Sequence, residues 1–137
     1  ELPPCLDLEW DNISRNPQYR DSDHGATGNQ GQIDDAGAER ALTCLYALEK
    51  LAGVTPFLYT SAGFFPGKCT PAVVKLFARY PLWVASYRSD APKVPAPWSH
   101  WTFWQYTDHE AVPGVGKIDA SWFNGDADAL KAFVKKA

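Results

Sequence analysis

Apolar residues along the chain recur with two periods, one typical of helices and one of strands. Over residues 38–52 they follow i, i+3, i+4 spacing, which predicts an amphipathic helix. Asp34 or Asp35 is expected to cap its start and Gly53 to end it. Thr70 followed by Pro71 predicts a second helix reaching about residue 79. A third helix is predicted from Asp126 to residues 135–136.

Between these helices lie short apolar segments with the length and composition of strands. Helices separate the first three strands, which predicts parallel pairing in an α/β sheet. The later strands have no helix between them, so the second half of the sheet is expected to be partly antiparallel. A polar segment over residues 11–33 predicts a long loop. The predicted strands are residues 2–10, 54–60, 82–87 and 101–106, followed by a hairpin at 112–119.

Composition indicates one globular domain. The chain has 137 residues, 45% of them hydrophobic and 21% charged. The net charge of −3 gives no sign of a nucleic-acid or anionic-membrane surface. No apolar run approaches the roughly 20 residues that cross a bilayer. The chain starts at Glu1 and contains no methionine, which indicates a processed product, a trimmed chain or a piece of something longer.

The strongest local signal for chemistry is the segment Leu6-Asp7-Leu8-Glu9. Side chains two positions apart on a strand point to the same face, about 7 Å apart. Repulsion and partial burial should raise the pKa of one carboxyl and give a proton donor beside an ionised partner, the arrangement that glycosidases use. Two solvated surface acids are the alternative. Asp119 could face the same cleft, although aspartate is common in turns.

A second signal is the density of aromatic residues between positions 83 and 106. Trp83 and Tyr87 alternate with other residues on one predicted strand, and Trp104 and Tyr106 do so around Gln105 on another. Flat rings with polar edges stack on sugar rings, although ordinary core packing explains some of them. The full set is Trp83, Tyr87, Trp98, Trp101, Phe103, Trp104 and Tyr106.

The positions of the cysteines and histidines give little evidence for a disulfide, a metal site or a catalytic nucleophile. Cys5, Cys44 and Cys69 are expected to be small buried or half-buried thiols, or to include one disulfide, Cys44–Cys69 or Cys5–Cys44. No metal-ligand spacing, phosphate-binding loop or nucleophile motif is present in the sequence, so neither a metal site nor a cofactor is expected.

Five segments resemble, in the same order, the motifs of glycoside hydrolase family 25, the Chalaropsis-type lysozymes. The Asp-x-Glu segment carrying Asp7 and Glu9 is the first. The closing segment, residues 112–119 with Phe123-Asn124-Gly125, is the last. The others are Phe57-Leu58-Tyr59-Thr60-Ser61, Leu82-Trp83-Val84-Ala85-Ser86-Tyr87 and Phe103-Trp104-Gln105-Tyr106-Thr107.

The resemblance implies a muramidase that cleaves the β-1,4 bond between N-acetylmuramic acid and N-acetylglucosamine in peptidoglycan. Glu9 would be the general acid. Asp7 would orient the substrate's N-acetyl group or assist a water, and Asp119 would be a further acid in the site. The residues expected to line the sugar groove are Tyr59, Trp83, Tyr87, Trp104, Gln105 and Tyr106.

The family domain is a modified, partly antiparallel (β/α) barrel, and barrels of this kind usually need about 200–250 residues. Here the Asp-x-Glu strand comes at the start, so residues 1–137 resemble the C-terminal part of the catalytic barrel, lacking its first strands. The open edge would need a partner, either the missing N-terminal fragment or a second copy. A reduced family fold in which those strands are dispensable is the alternative.

Two other functions remain open. One is a non-catalytic carbohydrate-binding module, which would keep the aromatic groove but has no need of the Asp7 and Glu9 pair. The other is a muramidase effector neutralised by an immunity protein. For the enzyme, we expect secretion or delivery to the bacterial cell wall or periplasm, with peptidoglycan glycan strands as the partner and neither nucleic acid nor membrane.

Overall fold

The computed structural model describes residues 2–9, 33–65, 67–88 and 90–135. The predicted loop therefore lies almost entirely outside the described residues. The strands are β1 (Cys5–Asp7), β2 (Phe57–Ser61), β3 (Leu82–Ala85), β4 (Phe103–Val112) and β5 (Gly116–Phe123). The helices are α1 (Asp35–Ala52), α2 (Pro71–Val74), which continues into a 3₁₀ helix (Lys75–Arg79), and α3 (Ala127–Lys135).

The five strands form one mixed sheet in the order β1-β2-β3-β4-β5. β1 to β4 pair in parallel, and β5 returns antiparallel to β4. Helices connect β1 to β2 and β2 to β3, which is why those pairs are parallel. The predicted α/β sheet with a partly antiparallel second half is confirmed.

The two faces of the sheet have different roles. Apolar side chains on the face that we call outer, among them Leu58 and Val84, are fully buried in one core with α1. The opposite face, which we call inner, carries the register row of Asp7, Tyr59 and Trp83. Because alternate residues of a strand point to opposite faces, the chemistry-bearing side chains lie on the inner face while their neighbours fill the core.

Aromatic rings close the lower part of the inner face, at the N-terminal ends of the parallel strands. Phe133 of α3 packs against Phe57 with ring centroids 5.2 Å apart, and Phe57 lies equally close to Phe103. Phe123 joins them at 5.2 Å from Phe103. This second apolar cluster holds α3 across one end of the inner face. The other end of the inner face carries polar side chains.

Helix α1 has the predicted ends. Asp34 is its N-cap, and its carboxylate accepts a hydrogen bond of 2.7 Å from the Gly37 amide. Gly53 adopts the left-handed conformation at φ 70° and ends the helix with its amide bonded to the Glu49 carbonyl. Side chains one turn apart, Ala38, Leu42 and Leu45, are buried as the spacing predicts.

Several strand boundaries differ from the prediction, and prolines account for two of them. β1 starts only after Pro3-Pro4, and β2 only after Pro56, because proline has no amide to donate to a ladder. The predicted hairpin at 112–119 is instead the turn of a longer one, since β4 runs to Val112 and β5 starts at Gly116. The positive φ values of Gly114 and Gly116, 79° and 108°, shape that turn.

The three cysteines are free thiols, so the expectation of thiols is confirmed and the alternative of one disulfide is wrong. The expected burial holds only for Cys69. Cys5 and Cys44 are exposed and Cys69 is half-buried. Although Cys5 is exposed as a residue, partial desolvation of the Cys5 sulfur raises the pKa of this thiol to about 11, which keeps it protonated. In the described ranges, no helix is long and apolar enough to cross a bilayer.

Candidate active site

The two carboxylates predicted to act together lie at the carboxyl end of β1. Asp7 is the last residue of this strand, and the Leu8 amide donates to the Tyr59 carbonyl over 3.0 Å, so the chain stays extended for one more residue. Leu6 and Leu8 pack against the core on the outer face. By alternation, Asp7 and Glu9 project together from the inner face.

A third carboxylate comes from the far end of the chain. Partial desolvation of its carboxyl, and then the negative charges of Asp7 and Asp119, raise the pKa of Glu9, although the residue as a whole is exposed. Burial also raises the pKa of Asp7. Asp119 lies on β5 and acts on Glu9 through space although 110 residues separate them in sequence. The inner face therefore gathers three acids and favours a proton on Glu9.

Tyr59 stands beside these acids on β2, in register with Asp7. Its hydroxyl donates a hydrogen bond of 2.5 Å to the side-chain oxygen of Gln105, which is buried. Burial and then the charge of Glu9 raise the pKa of Tyr59, so its hydroxyl remains a neutral donor. Tyr59 and Gln105 thus join β2 to β4 at the level of the carboxylates.

Trp83 forms the next part of the inner face. Its ring meets the Tyr59 ring edge to face, with centroids 5.6 Å apart. Its indole N–H donates to the Ser121 hydroxyl over 3.1 Å. Ser121 was not predicted, although it lies two residues from Asp119 and the alternation of a strand would have placed both on one face.

Tyr87 also lies near the acids, although β3 ends two residues before it. Partial desolvation of its hydroxyl, and then the charges of Asp108, Asp119 and Glu9, raise the pKa of Tyr87. Its side chain is exposed. Of the predicted groove residues, Tyr59, Trp83, Tyr87 and Gln105 are therefore gathered with the three carboxylates.

Trp104 and Tyr106 are not brought to this cluster. Trp104 pairs with Val84 on the outer face and is buried in the core, where its indole donates to the Ser86 carbonyl over 2.7 Å. Tyr106 packs against Trp104, with ring centroids 6.1 Å apart. The sequence correctly predicts that the two share a face, but the expectation that they line the groove is corrected here, because Gln105 between them takes the inner face.

The acids do not form a metal centre in the described part of the chain, where no group of three histidine, cysteine, aspartate or glutamate side chains is arranged to hold an ion. The carboxyl and hydroxyl groups of the cluster can transfer protons and form hydrogen bonds. A protonated carboxyl beside two further acids and a row of aromatic rings can protonate a leaving oxygen of a bound sugar.

Comparisons with a family model and with known proteins point to the same family. Residues 1–115 match the family model described as glycosyl hydrolases family 25. Lysozyme M1 from Streptomyces globisporus is 41% identical over 76 residues, covering 55% of this chain and 26% of that protein.

Two solved structures match nearly the whole chain. The lysozyme from Streptomyces coelicolor is 29% identical with a TM-score of 0.71, covering 99% of this chain and 58% of that one. The muramidase from Acremonium alcalophilum is 27% identical with a TM-score of 0.70, covering 99% and 57%. The chain thus spans just over half the length of these structures, and its sheet is part of a barrel, as expected. The chain belongs to glycosyl hydrolase family 25.

Proposed function

We propose that the protein hydrolyses peptidoglycan as a lysozyme-type muramidase. The family provides the reaction class, and the similar proteins carry the names lysozyme and muramidase. The bond that we assign is the β-1,4 linkage between N-acetylmuramic acid and N-acetylglucosamine. Glycan strands of the bacterial wall would be the substrate, so the protein would act outside the cytoplasm, secreted or delivered to the wall.

Glu9 is the proposed general acid. A proton on its carboxyl passes to the glycosidic oxygen as the bond to the sugar breaks, which removes the need to expel an alkoxide. Burial and the charges of Asp7 and Asp119 support this role, because they favour the protonated carboxyl before the reaction.

Asp7 is the proposed partner carboxylate. Side by side with Glu9 on the inner face, it would orient the substrate's N-acetyl group or assist an attacking water. Asp119 would be the further acid of the site, since its charge reaches both Glu9 and Tyr59. The cluster offers two carboxylates to the reacting sugar in addition to the acid.

The sugar groove that we propose runs along the upper inner face. Trp83 offers a half-buried ring and Tyr87 an exposed one for stacking against the apolar faces of pyranose rings. Tyr59 and Gln105 offer hydrogen-bonding groups to sugar hydroxyls. The observation that carries the proposal is the shared inner face, where Asp7 lies in register with Tyr59 and Trp83. Ser121, two residues from Asp119, is hydrogen-bonded to the Trp83 indole on the same face.

The test is hydrolysis of purified peptidoglycan, followed both by loss of turbidity and by the appearance of new reducing ends. We expect Glu9→Gln to lower the rate by at least about 100-fold, because removal of a general acid has that scale of effect. Asp7→Asn should also lower it. Asp128→Asn is the matched control, since Asp128 is an exposed acid on α3, ion-paired to Lys131.

If Glu9→Gln clears walls as fast as the parent, the acid assignment is wrong. If neither the parent nor any variant releases reducing ends while all of them sediment with walls, the chain by itself only binds walls. It is then either a carbohydrate-binding domain or a part of the barrel that needs the remaining strands for hydrolysis. A binding domain would also bind equally well after Asp7→Asn, because it has no need of the acid pair.

A further inference from the structure

A stacked pair of aromatic rings lies on the outer face of the β4–β5 hairpin, away from the candidate active site. The rings of Tyr106 and Trp122 are nearly parallel, 27° apart, with centroids separated by 5.6 Å. Trp122 is 59% exposed. The Tyr106 hydroxyl lies 3.4 Å from the Glu110 carboxylate, which is also exposed. We call Tyr106, Trp122 and Glu110 the outer shelf.

The outer shelf and the acids occupy opposite faces of the same hairpin. Trp122 pairs across the ladder with Trp104, whose side chain is in the core on the outer face. Asp119 and Ser121 alternate with Trp122 along β5 and contact or influence inner-face residues. A molecule on the outer shelf would therefore not compete with one in the groove.

The chemistry of the outer shelf fits a sugar better than an apolar protein surface. A large exposed ring supported from behind by a second ring presents a flat apolar plane, which matches the C–H face of a pyranose. The Glu110 carboxylate at its margin would be costly to bury against apolar side chains, because a buried charge needs partners. Sugar hydroxyls supply such partners by donating hydrogen bonds to a carboxylate.

We propose that the outer shelf is a second glycan-binding site, which takes pyranose rings of a peptidoglycan strand. The identity of the polymer rests on the proposed function, whereas the pyranose class rests on the shelf itself. Trp122 stacks on the sugar, Tyr106 holds the Trp122 ring in place, and Glu110 accepts hydrogen bonds from hydroxyls. The second site holds the protein on the insoluble wall while the inner groove engages a chain end or an adjacent strand.

The test measures binding without hydrolysis, by sedimentation of Glu9→Gln protein with purified cell-wall sacculi. We expect Trp122→Ala in this background to weaken binding about tenfold, the scale of effect seen when an aromatic anchor is removed from an interface. Trp122→Phe should retain most of the binding, because it keeps an apolar ring. Leu51→Ala is the control, since Leu51 is 86% exposed on α1 and its loss also removes apolar surface.

A second measurement separates the shelf from the groove. In the active parent, Trp122→Ala should slow the clearing of whole walls more than the cleavage of a soluble tetrasaccharide of alternating N-acetylglucosamine and N-acetylmuramic acid. Thermal unfolding checks that Trp122→Ala remains folded. If it does not, Glu110→Gln tests the shelf in the same assay, because it keeps both rings, removes the charged acceptor and should also weaken wall binding.

Equal wall binding by Glu9→Gln with and without Trp122→Ala would overturn the proposal. The proposal would also be overturned if Trp122→Ala lost self-association in sedimentation velocity while its wall binding stayed unchanged. That result would assign the shelf to a second copy of the chain. Failure of the proposed function has a different signature, because the parent would then release no reducing ends, or Glu9→Gln would release them as fast as the parent, whatever the residue at position 122.

Discussion

At the scale of single residues, the protonation of Glu9 depends on charges from both ends of the chain. Asp7 is two positions away on the same extended segment, whereas Asp119 reaches Glu9 only because β5 folds back along β4. Both charges favour the proton that a general acid must hold. The hairpin therefore contributes to the chemistry of β1 without being its neighbour in the sheet.

Asp119→Asn should lower the pKa of Glu9, because it removes a negative charge that opposes ionisation. An acid with a lower pKa loses its proton at lower pH. The alkaline limb of the plot of kcat/KM against pH should therefore move to lower pH, since this plot reports groups of the free enzyme.

Asp108→Asn is the control for this prediction. Asp108 acts on Tyr87 but is not among the charges that raise the pKa of Glu9. An alkaline limb that stays in place after Asp119→Asn, or that moves as far after Asp108→Asn, would contradict the assignment. NMR titration of the Glu9 side-chain carbon gives the same comparison independently of activity.

Ser121 is a positioning residue in this scheme, because it acts through Trp83. Ser121→Ala removes the acceptor of the Trp83 indole N–H. Loss of a neutral hydrogen bond is worth about 1 kcal/mol, so we expect KM to rise roughly threefold to tenfold with little change in kcat. Near-ultraviolet circular dichroism should report the altered Trp83 ring.

Ser121→Thr is the matching conservative variant. It keeps a hydroxyl at the same position and should restore KM toward the parent value. If Ser121→Ala lowers kcat and leaves KM unchanged, Ser121 does not act by orienting a sugar-binding ring.

At the scale of elements, the N-cap of α1 is the clearest link between one residue and stability. Asp34→Ala removes the acceptor of the Gly37 amide, and loss of such a cap costs about 0.5–2 kcal/mol. Urea denaturation should show a lower midpoint with an unchanged m value. Glu39→Ala, an exposed substitution in the same helix, should stay within about 0.5 kcal/mol of the parent.

The ends of α1 could be predicted because they depend on local chemistry. An aspartate cap and a glycine that accepts positive φ are properties of single residues, and Asp34 and Gly53 both have the predicted roles. The ends of the strands depend also on their neighbours. β4 extends to Val112 because β5 pairs with it along that length. No residue within β4 indicates by its type alone where the strand ends.

The candidate site could be predicted only in part, because it too depends on how neighbouring strands pair. Alternation indicates which residues share a face, and it grouped Trp104 with Tyr106 correctly. It does not say which face is the core. That choice depends on register with β3, where Val84 is buried and brings Trp104 into the core beside it.

At the scale of the whole molecule, the described sheet is open and its end strands, β1 and β5, each have one partner among the described strands. β1 has only β2 beside it among the strands of the described ranges. The Pro4 carbonyl and the Leu8 amide bond to β2, so the intervening odd-numbered residues, Cys5 and Asp7, direct their backbone groups away from it. An exposed edge of this kind is a template for a further strand.

We expect this edge to pair, either with the strands that precede it in the family barrel or with a second copy. Sedimentation velocity of the chain alone should then show association that grows with concentration. Cys5→Pro should weaken it, because proline removes the outward amide of Cys5 and leaves the bonds of Pro4 and Leu8 to β2 intact. Cys5→Ala keeps the amide and should associate like the parent. A monomer at all concentrations would mean that the edge is covered within the chain, and equal association of Cys5→Pro and Cys5→Ala would move the contact away from β1.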